Sequence, residues 1–317
     1  ENGQMQVGTI IAFINYMTQI LFSLMMISMV FNMFVRAKAS AGRIDEVFSQ
    51  KNTMSWKHHT DENSKIPLES KGRVDFENVT FSYEGTSGDP ILNHISFTCM
   101  PGETIGIIGS TGSGKSSLVG LIPRFYDVIS GSVKVNGEDV RNMDPESLRQ
   151  KIAVVPQKSI LFTGNVIDNI RWGKENATIE EIEKAASMAC AHDFVSSFPE
   201  GYHTRLGQGG VNFSGGQKQR VSIARALVRK PEILILDDST SAVDVATEAR
   251  IKESLKKYAT GLTCLIIAQR ITSIMDADQI VVLDNGEVVG KGSHEELMKK
   301  CNVYREIFQS QVGKEVM

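Results

Sequence analysis

The sequence predicts an α/β fold: a parallel sheet with antiparallel strands along one side, preceded by one long apolar helix. Three observations predict it. The runs TIGIIG, KIAVV, EILILD and TCLIIA are apolar throughout, as strands covered by helices on both faces are. The stretch GRVDFENVTFSY alternates apolar and polar residues as a half-buried strand does, and Asn136-Gly137 and Asn285-Gly286 are hairpin-turn pairs. Finally, no charged side chain stands between Glu1 and Arg36.

A chain of 317 residues has room for one large domain or two smaller ones. Its net charge of −3 gives no reason for a nucleic-acid partner. Cys99, Cys190, Cys264 and Cys301 are far apart and form no CxxC pair. Neither zinc nor a disulfide framework is expected, and reduced thiols in a cytosolic domain fit. The first residue is Glu1, which reads as a piece of a longer protein.

The first element runs through Val7 to Val35, rich in Ile, Phe, Leu, Met and Val. About 20 apolar residues suffice to cross a bilayer, and a secretory signal would begin with positive charge. The alternative, a buried helix of a soluble protein, seldom goes so long without charge on any face. Asn15, Tyr16, Thr18 and Gln19 are tolerable there if they face other helices or a water-filled path. Arg36, Lys38 and Arg43 follow and place the C-terminal end of the helix in the cytoplasm. The stretch RAKASAGRIDEVF continues as helix, with Ala37, Ile44, Val47 and Phe48 sharing a face. Residues 1–48 thus form one unit, and one helix alone makes no pathway. Residues 49–70 are polar and unpatterned, a linker in which His58 and His59 are solvated loop residues.

Residues 71–317 form the α/β domain. Its strongest motif is GSTGSGKS, comprising Gly109, Ser110, Thr111, Gly112, Ser113, Gly114, Lys115 and Ser116, with Ser117 next. It lies where the strand TIGII turns into the apolar helix SLVGLI, the context in which such a loop binds phosphate. Glycines let successive N–H groups point inward, and the helix N-terminus adds partial positive charge. Lys115 reaches the β- and γ-phosphates, while Ser116 and Asp237, at the end of ILILD, are the natural holders of Mg²⁺. The ligand so indicated is a nucleoside triphosphate with Mg²⁺, and a P-loop alone does not separate kinase, GTPase, helicase or transporter.

A second motif, Phe213-Ser214-Gly215-Gly216-Gln217, opens the helix KQRVSIARALVRKP. Val221, Ala224, Leu227 and Val228 have helical spacing, and Pro231 marks the stop. Ser214 and Gln217 stand at capping-box spacing, as do Thr178 and Glu181, and Ser293 and Glu296. Two glycines in a first turn are poor helix formers. They make sense where something large and anionic approaches closely.

In this order the residues resemble the ABC transporter family, specifically exporters in which membrane and nucleotide-binding domains share a chain. The resemblance covers nearly the whole sequence. It rests on Tyr83 on the early strand, GSTGSGKS, Gln157 after AVVP, FSGGQ, ILILD, the SAVD stretch, and Gln269 after CLIIA. It implies a P-loop (RecA-like) ATPase domain with an antiparallel β-subdomain and a helical subdomain over about 158–226. The apolar segment would be the last transmembrane helix. Tyr83 would stack on adenine, the alternative being an ordinary core aromatic. Gln157 would touch Mg²⁺ and sense the membrane domain. Two such domains would pack head to tail, with ATP between the P-loop of one and Ser214, Gly215 and Gly216 of the other. Asp244 would lie at that seam.

Three positions depart from the family pattern. Asp238 stands where Glu usually acts on the attacking water, Gln269 where His usually contacts the γ-phosphate, and Gln208 where Glu is usual. Asp238 draws the charge back by one C–C bond, and displacements near 1 Å cost of the order of 10²-fold in rate. Gln269 donates a hydrogen bond but cannot become cationic. These departures imply the degenerate half of a heterodimeric exporter of a small molecule, lipid or peptide. A homodimeric exporter with a working Asp238, a soluble ABC-type ATPase and a nucleotide-binding regulator that never hydrolyses are the alternatives. Phe162 and Trp172 read as packing or interface residues.

Overall fold

The computed structural model describes residues 7–50, 54, 70–85, 88–258 and 261–312. The chain divides into two compact units, residues 1–55 and 56–317. Among its described residues the first holds one helix, α1 (Val7–Ser49). At about 1.5 Å per residue it is about 65 Å long, beyond the ~30 Å of bilayer hydrocarbon. It runs unbroken past Arg36, as predicted, and none of its residues is buried. Its polar side chains turn back on the helix. Thr18 and Ser23 donate to carbonyls one turn earlier at 2.9 Å, Ser28 at 3.2 Å, and Asn32 at 3.0 Å. Satisfying polar groups internally is what hydrocarbon surroundings demand. Most of the predicted 49–70 linker, His58 and His59 included, lies outside the described residues.

The second unit begins with β1 (Val74–Phe81) and β2 (Leu92–Cys99), then β3 (Thr104–Gly109) and α2 (Lys115–Gly120). β4 (Ser130–Val135), β5 (Glu138–Asp139), α3 (Pro145–Lys151) and β6 (Ile152–Val155) follow. A helical region holds β7 (Gly164–Asn165), α4 (Val166–Arg171), α5 (Ile179–Met188), α6 (His192–Ser196), β8 (Arg205–Leu206) and α7 (Gly215–Leu227). The chain closes with β9 (Ile233–Asp237), α8 (Val245–Tyr258), β10 (Thr263–Ile267), β11 (Gln279–Asp284), β12 (Glu287–Gly292), α9 (His294–Lys300) and α10 (Asn302–Val312).

All four wholly apolar runs are strands of one six-stranded sheet, ordered β12-β11-β3-β10-β9-β6. Its pairs are parallel except β11 with β12. Of the other antiparallel strands, four form a separate sheet, β2-β1-β4-β5, the antiparallel subdomain that the resemblance implies, rather than running along the side of this sheet; β7 and β8 pair as a two-stranded sheet of their own. Asn136 (φ 57°) and Gly137 (φ 85°) turn one hairpin, and Asn285 (φ 48°) and Gly286 (φ 77°) the other.

Strand periodicity splits the core in two. Leu234, Leu236, Cys264 and Ile266 face one hydrophobic cluster, shared with the helical region. Ile233, Ile235, Leu265 and Ile267 face the second, shared with the antiparallel sheet. Successive side chains point to opposite faces, and burial on both faces explains why these strands read as unbroken apolar runs.

Candidate functional site

β3 ends at Gly109, and the chain re-enters regular structure at Lys115, the first residue of α2. The backbone leaves no room at that turn: a Cβ on Gly109 would run into the Leu283 carbonyl. Gly112 (φ 85°) and Gly114 (φ 94°) take the left-handed conformation that side chains resist. Lys115 Nζ is drawn into the loop, donating to Gly109 O at 2.9 Å and Ser110 O at 2.7 Å. Burial pushes its pKa down, while the Asp237 and Asp238 carboxylates pull it up. Ser113 is turned inward at 2% exposure. Its side chain braces the loop, its oxygen accepting from Lys115 at 3.4 Å, which leaves its backbone N–H as the group expected to meet phosphate.

The end of β9 faces this loop. Ser116 Oγ donates to Asp237 Oδ1 at 3.3 Å. Burial pushes the Asp237 carboxyl above its ordinary range, the Ser116 hydrogen bond lowers it, and neighbouring Asp238 raises it further. A half-buried acid beside a hydroxyl and a second acid is a donor set that fits Mg²⁺, because a cation relieves the charge they share.

Asp238 adopts φ 47°. Its Oδ2 accepts from Gln157 Nε2 at 2.9 Å and from Gln269 Nε2 at 2.8 Å. Three residues predicted as catalytic from distant parts of the sequence therefore meet at one oxygen atom. The sequence could place each at its strand end but not show that they bond to one another.

Tyr83 lies two residues beyond β1, not on the strand as expected. Its hydroxyl is 2.9 Å from Ser117 Oγ, and its ring meets Phe81 and Tyr126 edge-on, each at 5.0 Å. Over a third of the residue stays exposed, so the ring is both part of an aromatic cluster and open to a ligand.

A cleft of about 620 Å³ is lined by residues of the loop from Gly109 to Ser117, by Gln157 and by Gln269. Ile307, Ser310 and Gln311 of α10 complete it. Sequence reading missed these three, which belong to no motif. A larger cleft of about 820 Å³ runs beside α8, but it contains none of the motif residues.

The FSGGQ turn lies elsewhere, since none of its residues lines the 620 Å³ cleft. Ser214 caps α7, its Oγ accepting from Gln217 N at 3.3 Å and its N–H donating to Gln217 Oε1 at 2.9 Å. The glycines have a packing reason within the chain. A Cβ on Gly216 would lie 2.8 Å from the Ala242 carbonyl, and one on Gly215 3.2 Å from Ala242 Cβ. Phe213, expected at the ligand with the rest of its motif, is 5% exposed and stacks on Phe198 at 5.3 Å, which anchors the turn. Asp244 is exposed and accepts from Thr247 N at 2.9 Å, and this bond holds its pKa low. Gln208 is exposed on a short 3₁₀ turn ahead of α7.

Residues 92–241 match the family model described as ABC transporter. The chain is 46% identical over 314 residues to the uncharacterized ABC transporter ATP-binding protein YfiB of Bacillus subtilis, covering 99% of this chain and 53% of that protein. It is 44% identical over 245 residues to human ATP-binding cassette sub-family B member 6, covering 77% of this chain and 29% of that protein. A solved bacterial Atm1-family ABC exporter with ATP bound superposes with a TM-score of 0.80 at 33% identity, over 98% of this chain and 53% of that one. The chain thus spans about half the length of the relatives it matches along its whole extent. On this fold, these loops and these matches, the chain carries an ABC transporter ATP-binding domain.

Proposed function

We propose that this chain is the ATP-binding half of a membrane exporter, and that its own ATP site binds nucleotide firmly but hydrolyses it slowly. The observation that carries the reading is the separation of the two motifs. The phosphate loop and the intact FSGGQ turn are both well formed, yet the turn does not line the chain's own cleft. A second nucleotide domain packed head to tail would bring Ser214, Gly215 and Gly216 to the γ-phosphate held by the partner. Asp244 would stand at the seam.

Within the chain's own site, the backbone N–H groups of Gly112 to Ser116 and the Lys115 ammonium would take the phosphates, and Tyr83 the adenine. Ser116, Asp237 and Gln157 would hold Mg²⁺, which when bound neutralises phosphate charge. Asp238 would have to orient the attacking water. It starts one C–C bond short, and one of its oxygens is already occupied by two amide donors. Gln269 offers the γ-phosphate a neutral hydrogen bond in place of a cation. These features support slow turnover here and a different, competent partner. A homodimer with a working Asp238 remains the second reading, favoured by the retained carboxylate, since aspartate serves as a base where the water sits closer.

The apolar helix α1 supports placement in the cell membrane, in a full-length protein with several spans and a cytoplasmic nucleotide domain. Ile160, Phe162 and Trp172 are all exposed, with the two rings stacked at 4.4 Å. Such an apolar patch suits docking of another domain. The cargo, a small molecule, lipid or peptide, would be selected by membrane helices outside this sequence.

The test compares ATPase activity of the full-length protein alone and with its co-purifying partner. The pair should turn over at least tenfold faster than this half alone. Equal rates would overturn the division of labour. Asp238→Glu with Gln269→His should raise hydrolysis in the isolated half.

A further inference from the structure

The nucleotide cleft has a wall that no motif supplies. Ile307, Ser310 and Gln311, from α10, line it together with the phosphate loop. Gln311 grips the Gln269 loop with both ends of its amide. Its Oε1 accepts from Ile271 N at 2.7 Å, and its Nε2 donates to Gln269 O at 2.7 Å. A side-chain amide satisfying the backbone on both sides of one residue, Arg270, fixes the path of that loop. The Gln269 side chain then reaches Asp238 at 2.8 Å.

The grip has a rigid base. Tyr304 of α10 is fully buried and bonds His294 of α9 at 2.7 Å. Ile307, Phe308 and Val312 pack against the hydrophobic cluster that also contains Ile271 and Ile274. Helix α10 is therefore anchored at its middle and presents Gln311 from its last turn.

We infer that Gln311 is a positioning residue for the nucleotide site: by holding the Gln269 backbone from α10 it fixes the Gln269 amide beside Asp238, in the cleft where the terminal phosphate would lie. It thereby sets how strongly the site prefers ATP over ADP. This inference rests on the proposal that Gln269 faces the γ-phosphate.

The experiment uses the full-length protein with its partner, and reads displacement of a fluorescent ATP analogue by MgATP and by MgADP. Gln311→Met keeps side-chain length and removes both hydrogen bonds. It should weaken MgATP binding about 5- to 10-fold, on the scale of one or two hydrogen bonds, with MgADP unchanged. Gln311→Glu keeps the acceptor for Ile271 N but sets a carboxylate against the Gln269 carbonyl, and should shift the same ratio. Gln309→Ala, on the exposed side of the helix, should shift neither affinity. Gln269→Ala should reproduce the Gln311→Met ratio, and the pair of changes together should add little more. Equal weakening of both nucleotides by Gln311→Met, or no change in the ratio, overturns the inference. If Gln269→Ala itself leaves the ratio unchanged, the parent reading falls and this one with it. A shift with Gln269→Ala but none with Gln311→Met sinks this one alone.

Discussion

Asp238 holds two properties in tension. Its backbone sits at φ 47°, where aspartate is among the better tolerated residues, and its carboxylate is shared by Gln157 and Gln269. Replacing it by glutamate restores reach but keeps both amide donors beside it. Asp238→Glu alone should therefore gain less hydrolysis than Asp238→Glu with Gln269→His. A double-mutant cycle on single-turnover rates should show a coupling above about 0.5 kcal/mol, as residues in one network do. Additive effects would mean that the two positions act independently. The identities of all three residues were legible in the sequence because each follows an apolar strand. Their common bond was not, because it joins positions 157, 238 and 269 through a sheet whose strand order no local pattern reveals.

At the scale of elements, local chemistry was the most legible. The capping boxes at Thr178/Glu181, Ser214/Gln217 and Ser293/Glu296 all form, since a cap needs only residues three apart. The contacts those elements make across the fold were less legible. Glu181 also bonds Lys174 and Lys230, which together hold its pKa down to about 2 against an ordinary 4.5. A carboxylate depressed on folding contributes stability above its unfolded value, lost as pH falls. Glu181→Gln should therefore flatten the decline in thermal stability between about pH 4.5 and 2. An unchanged acid limb would show the bonds to be idle. The glycines of α7 carry a second lesson, since their sequence rationale was ligand approach and the fold adds Ala242. Gly216→Ala should lower stability by about 1–3 kcal/mol through overpacking, measured by denaturant unfolding, and Gly215→Ala by less. Equal, negligible losses would leave ligand approach as the sole reason for the glycines.

Across the whole molecule, the two units answer to different solvents. Helix α1 leaves every apolar side chain exposed, while Thr18, Ser23 and Ser28 bond back to its own carbonyls. The remainder buries two large clusters around one mixed sheet. Deleting residues 1–48 should yield a domain that stays in solution without detergent, whereas the full chain needs it. A full chain monodisperse in plain buffer would contradict the membrane reading. Fold class was legible because sheet burial and α1 each leave a compositional mark. Strand pattern alone did not separate the antiparallel sheet from the parallel one, which only the family resemblance implied, and the α10 wall was not legible at all, because both depend on long-range packing.

The central claim is that nucleotide is held across two chains while this chain's own acid hydrolyses slowly. The direct measurement traps nucleotide with vanadate and a photoreactive ATP analogue in the assembled pair, then asks which chain keeps ADP. The account predicts ADP trapped on the partner's phosphate loop, lost when Ser214 here is changed to Arg, with ATP retained on this chain. ADP trapped equally on both chains, or trapping indifferent to Ser214→Arg, would contradict it.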